Sequence, residues 1–229
     1  MKKVYVFLAE GFEEMEAVTP IDLLRRAGVD AKLVSVTGNR AVTGAHGVTY
    51  LADLLFEEIS EDADMLVLPG GLPGTTNLQA HEGLTRLLLQ QHEAHKWVAA
   101  ICAAPTALAA FGVLSGKKAT VYPGMDADLT AAGAAYTGLP LTIDGNIITG
   151  EALGAAIPFA LAIARELAGA DAAARPDTGS APAARWHRGR SCRSHRWQPV
   201  RSPTKCADRL CRTAPSTPCG NRGQLLRFS

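Results

Sequence analysis

The strongest constraint on the fold is an alternation of short apolar runs with segments of helical pattern. Apolar runs of strand length recur along the chain, and several are separated by stretches with helical periodicity. This alternation predicts an α/β fold, a doubly wound and mostly parallel sheet with helices on both faces. The predicted strands are Val4–Ala9, Ala31–Val36, Met65–Leu68, Val98–Ile101 and Ala119–Val121. The predicted helices are Met15–Ala27, Leu84–His95, Pro105–Phe111 and Ala155–Ala168.

Two further pairs of short extended segments have the pattern of β-hairpins. One lies around Ala41–Leu51, and the other around Leu141–Ile148 with Asp144 and Gly145 at the turn. We expect both hairpins to be appended to the main sheet, where they are candidate surfaces for a homodimer.

Charge divides the chain of 229 residues into two unlike parts. Residues 1–170 hold 11 Lys and Arg against 19 Asp and Glu, whereas residues 171–229 hold 12 against 3. The second part has no helical or strand periodicity, and we therefore predict an α/β domain over 1–170 and a basic, disordered tail over 171–229. A shifted reading frame is a second explanation of the tail. Nucleic-acid binding through Trp186 and Trp197 beside arginines is a third, which we do not favour.

Targeting and metal-binding signals are weak. The opening apolar run is followed at once by glutamates and by no small-residue cleavage site, so it predicts a buried strand rather than a signal peptide. No run approaches the length of about 18 apolar residues that a membrane span needs. Four of the five cysteines lie in the tail at spacings that match no common zinc site. From these signals together we expect a cytoplasmic protein without metal, cofactor or membrane association.

Three unusual features fall where strands of the predicted sheet end. Glu16 follows the first strand in an acidic run, yet it lies on the apolar face of the next predicted helix, and burial there should raise its pKa. Glu13 and Glu14 are more simply complements of the helix dipole. The paired glycines Gly70 and Gly71 end another strand and permit a turn whose N–H groups face the crevice.

Cys102 is the third feature. It stands between a strand of small residues and a helix, as in the elbow that lifts a nucleophile out on a sharp turn. A helix N-terminus and neighbouring N–H groups stabilise a thiolate, so we expect the pKa of Cys102 to lie below the reference of about 8.5. A lone buried cysteine is otherwise an inert core residue. The meeting of all three features at one sheet edge favours function.

Together these motifs make the chain resemble the ThiJ/PfpI superfamily, nearest to the branch of the parkinsonism-associated protein deglycase and its bacterial relatives. The resemblance covers about residues 2–170 and does not include the tail. The segments that carry it are Leu8–Glu16, Asp22–Gly28, Val67–Gly71 and Ala100–Pro105.

The resemblance implies a flavodoxin-like, dimeric protein with a reactive cysteine on a strained elbow. By correspondence, a protonated Glu16 hydrogen-bonds the sulfur of Cys102, and the N–H groups of Gly71 and Ala103 complete an anion pocket. Arg26 corresponds to an arginine at the dimer-facing rim of that pocket.

The chain departs from the superfamily pattern at two places. Tyr122 stands where close relatives often carry a histidine, which puts any step that needs a histidine base in doubt. The segment Glu151–Ala155 replaces a common Gly-Pro-Gly turn before the last helix, which could alter substrate access.

The leading hypothesis is an enzyme that acts on reactive dicarbonyls or early glycation adducts, as a deglycase or a glutathione-independent glyoxalase. Cys102 would attack the carbonyl, Gly71 and Ala103 would hold the oxyanion, and no cofactor would be required. A redox-sensing stress protein or chaperone with an oxidisable Cys102 is the alternative from another class. A cysteine peptidase or amidase is weaker, because no histidine follows Cys102 directly.

Overall fold

The computed structural model describes residues 1–60 and 62–173. The predicted tail over 171–229 lies outside the described residues, except for its first three, and stays a prediction. Within the described part of the chain, no helix is both long and apolar enough to span a membrane.

A seven-stranded sheet forms the centre of the domain. Its order is β10-β11-β7-β6-β1-β2-β5, and every neighbouring pair is parallel except β10 and β11. The sheet strands are β1 (Lys3–Leu8), β2 (Asp30–Ser35), β5 (Leu54–Leu55), β6 (Met65–Leu68), β7 (Trp97–Ile101), β10 (Leu141–Asp144) and β11 (Ile147–Gly150). The other strands are β3 (Ala41–Thr43), β4 (Thr49–Leu51), β8 (Lys118–Ala119) and β9 (Ala135–Tyr136).

Helices cover both faces of this sheet, as the periodicity predicts. They are α1 (Glu14–Arg26), α2 (Gly74–Ala80), α3 (Glu82–Glu93), α4 (Pro105–Ala110), α5 (Asp126–Ala131), α6 (Ala156–Ala168) and α7 (Ala170–Ala173), with 3₁₀ turns at Phe56–Glu58 and Leu153–Ala155. The predicted doubly wound α/β fold is therefore confirmed.

Successive residues of β1 show why the core has two halves. Val4, Val6 and Leu8 pack in the cluster that contains α1 and α6, whereas Tyr5 and Phe7 pack in the cluster that contains α3 and α4. Because side chains alternate across a strand, one continuous apolar run supplies both faces of a sheet that is covered on both sides.

Both predicted hairpins are present, with different surroundings. The strands β3 and β4 form a separate antiparallel pair, whereas β10 and β11 pair around a turn at Gly145 and Asn146 and extend the main sheet beside β7. The first hairpin is tied to the loop before α1 by hydrogen bonds of 2.8 Å from the N–H of Gly11 to the carbonyl of Thr43 and from the N–H of Ala45 to that of Phe12.

The prediction that Ala119–Val121 forms a strand of the main sheet is wrong. Only Lys118–Ala119 is extended, and it pairs with β9, while β11 takes the place beside β7. The N–H of Thr120 instead donates to Thr149 Oγ1 at 2.9 Å, and the N–H of Tyr122 donates to the carbonyl of Cys102 at 2.9 Å. The buried run therefore supports the loop around Cys102.

Candidate active site

Cys102 lies on a sharp turn between β7 and α4, at the carboxyl end of the sheet. Its φ of +62° is in the left-handed region, which a non-glycine residue adopts at a cost on the order of 1–3 kcal/mol. Backbone hydrogen bonds hold this geometry from both sides, because Cys102 N–H donates to the carbonyl of Gly150 at 3.0 Å and Tyr122 N–H donates to the carbonyl of Cys102 at 2.9 Å. The predicted elbow is therefore present, and the thiol is half-buried.

Glu16 faces this elbow from the first turn of α1. Only 1% of its surface is exposed, and its Oε2 accepts the N–H of Gly70 at 2.9 Å. Its Oε1 is buried and, among the described residues, has no partner of standard hydrogen-bond geometry. Burial, and then the charge of Glu13, raise the pKa of Glu16 to about 7, against opposing contributions from the Gly70 N–H and the Cys102 thiol. The raised pKa expected from the apolar helix face is thus found.

The pKa of Cys102 differs from the sequence-based expectation. Burial, and then the negative charge of Glu16 and its hydrogen bond to the thiol, raise that pKa to about 12, although the N–H groups of Ala103 and Gly71 lower it. The expectation of a pKa below about 8.5 is wrong, because it counted the helix N-terminus and the N–H groups but not burial beside a carboxylate.

The thiolate forms more easily in the form of the site in which Glu16 carries the proton. Protonation of Glu16 removes the negative charge that opposes ionisation of Cys102, while the N–H groups of Ala103 and Gly71 remain. Two groups coupled in this way titrate as a pair and not as independent acids.

Gly70 was predicted only as one of the paired glycines at a turn, and the anion pocket was assigned to Gly71. A Cβ at this position would stand 2.6 Å from Cys102 Cβ and 2.7 Å from Glu16 Oε2, closer than real Cβ contacts. Only a glycine fits between the cysteine and the glutamate. The motif of paired glycines was the available signal, but spacing alone does not tell which of the two touches the cysteine.

Gly71 and Ala103 have the placement that the resemblance implies. Their N–H groups both act on the sulfur of Cys102. Gly71 has a φ of +88°, and a Cβ there would collide with the backbone N of Glu13. The loop after β6 thus lies directly against the start of α1. The role of Gly71 and Ala103 in holding an oxyanion stays a prediction.

The two predicted rim residues are placed differently. Tyr122 is exposed and contacts the elbow through its backbone. Arg26 ends α1, ten residues after Glu16, which is about 15 Å along the helix axis. Its Nε donates to Asp22 Oδ2 at 2.8 Å. The predicted place of Arg26 at the dimer-facing rim stays a prediction.

Glu13 and Glu14 do more than complement the helix dipole. Glu13 caps α1, because its Oε2 accepts the N–H of Glu16 at 2.7 Å. Buried Glu14 binds His46 through the backbone N–H and through Nδ1, both at 2.7 Å. Burial alone would raise the pKa of Glu14, but the hydrogen bonds from His46 and backbone amides lower it overall.

His46 was missed because no local pattern connects it to Glu14, from which it is separated by 32 positions. Ligand atoms of Glu13, Glu14 and His46 lie within 4.8 Å of one another, but both oxygens of Glu14 are already engaged by His46. The cluster therefore ties the β3–β4 hairpin to the start of α1.

Comparisons with known proteins agree with this fold. The sequence pattern of the DJ-1/PfpI family matches residues 2–166. Protein dj-1beta of Drosophila melanogaster is 41% identical over 169 residues, which are 73% of this chain and 90% of that protein. A deglycase of Pyrococcus abyssi is 33% identical over 153 residues, 66% of this chain and 91% of that protein.

Solved structures extend the similarity to the backbone. The crystal structure of Drosophila melanogaster DJ-1beta gives a TM-score of 0.73 at 40% identity and covers 75% of this chain and 93% of that one. Oxidized DJ-1 of Toxoplasma gondii gives 0.72 at 33% identity and covers 76% and 94%. The chain belongs to the DJ-1/PfpI family, and the superfamily membership predicted from its motifs is confirmed.

Proposed function

We propose that this protein is a cysteine-dependent enzyme that acts on reactive dicarbonyls or early glycation adducts. The observation that supports the proposal is the close approach of Gly70 to both Cys102 and Glu16, which brings a thiol and a buried carboxyl group together at the carboxyl end of the sheet. The name deglycase on the relative from Pyrococcus abyssi supports the same class of substrate.

The first step is formation of the nucleophile. Glu16, whose pKa is raised by burial to about 7, exists partly as carboxylate near neutral pH and accepts the proton of the Cys102 thiol. The resulting thiolate is stabilised by the N–H groups of Gly71 and Ala103.

The thiolate then attacks the aldehyde carbon of a dicarbonyl. A C–S bond forms, the carbonyl electron pair moves to oxygen, and the same two N–H groups hold the oxyanion until Glu16 returns the proton. Glu16, a carboxylate again, removes the proton from the hemithioacetal carbon and returns it to the neighbouring carbon, while the hydroxyl proton moves to the oxygen of that neighbouring carbon; the product is a thioester. Water then hydrolyses the thioester to a hydroxy acid and the free thiol.

Incubation with methylglyoxal tests this function. We expect lactate in many-fold excess over protein from the unaltered chain and none from Cys102→Ser. Stoichiometric loss of the thiol without lactate would instead show that the protein does not turn over dicarbonyls.

A redox sensor is the second candidate, and the half-buried position of Cys102 beside Glu16 favours it. Peroxide would convert the thiolate to a sulfinate, to which a protonated Glu16 could donate a hydrogen bond. The relative from Toxoplasma gondii was solved in an oxidized form. A mass increase of two oxygens on Cys102 at low peroxide, together with no lactate from methylglyoxal, would support the sensor over the enzyme.

A peptidase or amidase has less support. Among the described residues, the groups that shift the pKa of Cys102 are Glu16, Ala103 and Gly71, and none is a histidine. Tyr122 contacts the elbow through its backbone N–H and not as a base.

A further inference from the structure

Glu13 joins the two segments that form the Cys102 site. Its backbone N–H donates to the carbonyl of Gly70 at 2.9 Å, while its Oε2 accepts the N–H of Glu16 at 2.7 Å. The N–H of Gly70 donates in turn to Glu16 Oε2 at 2.9 Å. These three hydrogen bonds close a ring through Glu13, Glu16 and Gly70, which fixes the Glu16 carboxyl against the loop after β6.

Space around the ring is tight, so the arrangement has few alternatives. A Cβ at Gly70 would overlap Glu16 Oε2 and Cys102 Cβ, and a Cβ at Gly71 would overlap the backbone N of Glu13. The carboxylate of Glu13 is held at the start of α1 by its hydrogen bond from the N–H of Glu16, whose own carboxyl group is buried.

We propose that Glu13 is a positioning residue that sets the proton affinity of the Glu16–Cys102 pair, by fixing Glu16 against Gly70 and by placing a negative charge beside its carboxyl group. The inference rests on the proposed function only in taking Glu16 and Cys102 as the reacting pair. Glu13 acts through Glu16 and does not touch the sulfur.

Electrostatics agree with this geometry. After burial, the charge of Glu13 is the largest contribution that raises the pKa of Glu16, and the Gly70 N–H and the Cys102 thiol oppose it. His46 faces Glu13 from the β3–β4 hairpin, and its own pKa is raised, first by its hydrogen bond to Glu14. Glu14 and His46 are therefore two further titratable groups close to the ring.

The test is the pH dependence of alkylation at Cys102, because this reaction needs no dicarbonyl. The full chain is treated briefly with iodoacetamide between pH 5 and 9, and the Cys102 peptide is quantified by mass spectrometry. We expect the rate to rise with a first midpoint near 7, where the Glu16–Cys102 pair loses its first proton. In Glu13→Gln the amide oxygen still caps α1 but the charge is gone, so the midpoint should move to lower pH.

Glu10→Gln is the matched control. Glu10 lies three residues earlier, is exposed, and accepts the N–H of Thr43 at 3.1 Å, a bond that glutamine can keep. It is not among the groups that shift the pKa of Glu16. A midpoint that is unchanged in Glu13→Gln, or that moves equally in Glu10→Gln, would overturn the proposal.

Two further measurements separate charge from folding. Glu13→Ser places a favoured N-cap residue there and should lower the midpoint as Glu13→Gln does, with unfolding followed in parallel. Added salt should lower the midpoint of the unaltered protein by screening the two carboxylates, and an absence of this effect would contradict the inference even if both variants failed to fold. The same pH profile, measured on His46→Gln, shows how far the imidazole of His46 shifts the midpoint of alkylation.

The inference and the proposed function can fail separately. A shifted midpoint without lactate formation in any variant would leave the role of Glu13 intact and remove the dicarbonyl activity. Lactate formation with an unshifted midpoint would support the dicarbonyl activity and remove the role of Glu13.

Discussion

Gly70 lies between Cys102 and Glu16 in a space so narrow that a Cβ added to Gly70 would stand 2.6 Å from Cys102 Cβ and 2.7 Å from Glu16 Oε2. The close approach of the thiol and the carboxyl group therefore depends on a residue without a side chain. The same residue donates its N–H to Glu16, so its backbone both separates and connects the pair.

Gly70→Ala should consequently damage the site and the fold together. The φ of Gly70 is not in the left-handed region, so the cost comes from overpacking, on the order of 1–3 kcal/mol of the free energy of unfolding. Alkylation of Cys102 should change as well. Gly154→Ala is the control, since a Cβ there meets nothing within 4 Å. Urea denaturation checks both variants, and equal stabilities would contradict the predicted clash.

The raised pKa of Glu16 predicts a particular dependence of stability on pH. The folded protein keeps this proton up to about pH 7, whereas an unfolded chain releases it near 4.5. Between these values the folded state binds more protons, so the free energy of unfolding falls as the pH rises. The full effect is about 3 kcal/mol.

Glu16→Gln isolates this contribution, because glutamine stays neutral and has nearly the same shape. The variant should match the unaltered protein near pH 4.5 and exceed it in stability by about 3 kcal/mol at pH 8. Urea denaturation at several pH values measures the difference. If Glu16→Gln is less stable than the unaltered protein at pH 8, burial of the carboxylate is not what raises the pKa of Glu16.

Strain at the elbow gives a third prediction, with two variants as each other's control. Cys102→Ala and Cys102→Gly both remove the sulfur, but only glycine adopts a φ of +62° without steric cost. Cys102→Gly should therefore be more stable than Cys102→Ala by about 1 kcal/mol. The difference is smaller than the backbone strain itself, because glycine also increases the conformational entropy of the unfolded chain. Thermal unfolding compares them, and a more stable Cys102→Ala would show that the elbow is unstrained. Neither variant should form lactate.

The fold was predictable where apolar runs were long and buried, and the site was predictable where residue types were unusual. The alternation in β1 and the helical face that contains Glu16 were readable because burial imposes a period on the sequence. The run around Val121 also read as a strand, but its neighbours Thr120 and Tyr122 donate their N–H groups to Thr149 and Cys102. Burial alone does not distinguish a strand from a buried loop.

What the sequence could not supply was distance and desolvation. The direction of the pKa of Cys102 depends on how deeply the thiol lies and on a carboxylate 86 positions earlier in the chain. The pairing of Glu14 with His46 likewise joins a helix to a hairpin turn without any local signal. Both are consequences of tertiary packing.

Exposed apolar side chains on three adjoining elements give the last prediction, which concerns the homodimer. They are Met15 on α1, Val48 and Leu51 in or beside the β3–β4 hairpin, and Ile157 on α6. The hairpin is bonded to the start of α1 through Glu14 and His46, and α6 packs against α1. Exposed apolar surface of this kind is typical of an interface, and we propose that a second copy of the chain covers it.

Met15→Glu tests this interface without harming the monomer, because Met15 is 53% exposed and an acidic residue in the first turn complements the dipole of α1. A carboxylate buried at the interface without a partner should weaken the dimer by more than about tenfold, which corresponds to 1.4 kcal/mol. Sedimentation over a range of concentrations should therefore show a dimer for the unaltered chain and a shift toward monomer for Met15→Glu. Leu139→Glu is the control, since Leu139 is 54% exposed in the loop before β10, outside these three elements. A dimer that tolerates Met15→Glu as well as Leu139→Glu would place the interface elsewhere. A chain that sediments as a monomer would remove the interface, and with it the predicted place of Arg26 at the dimer-facing rim.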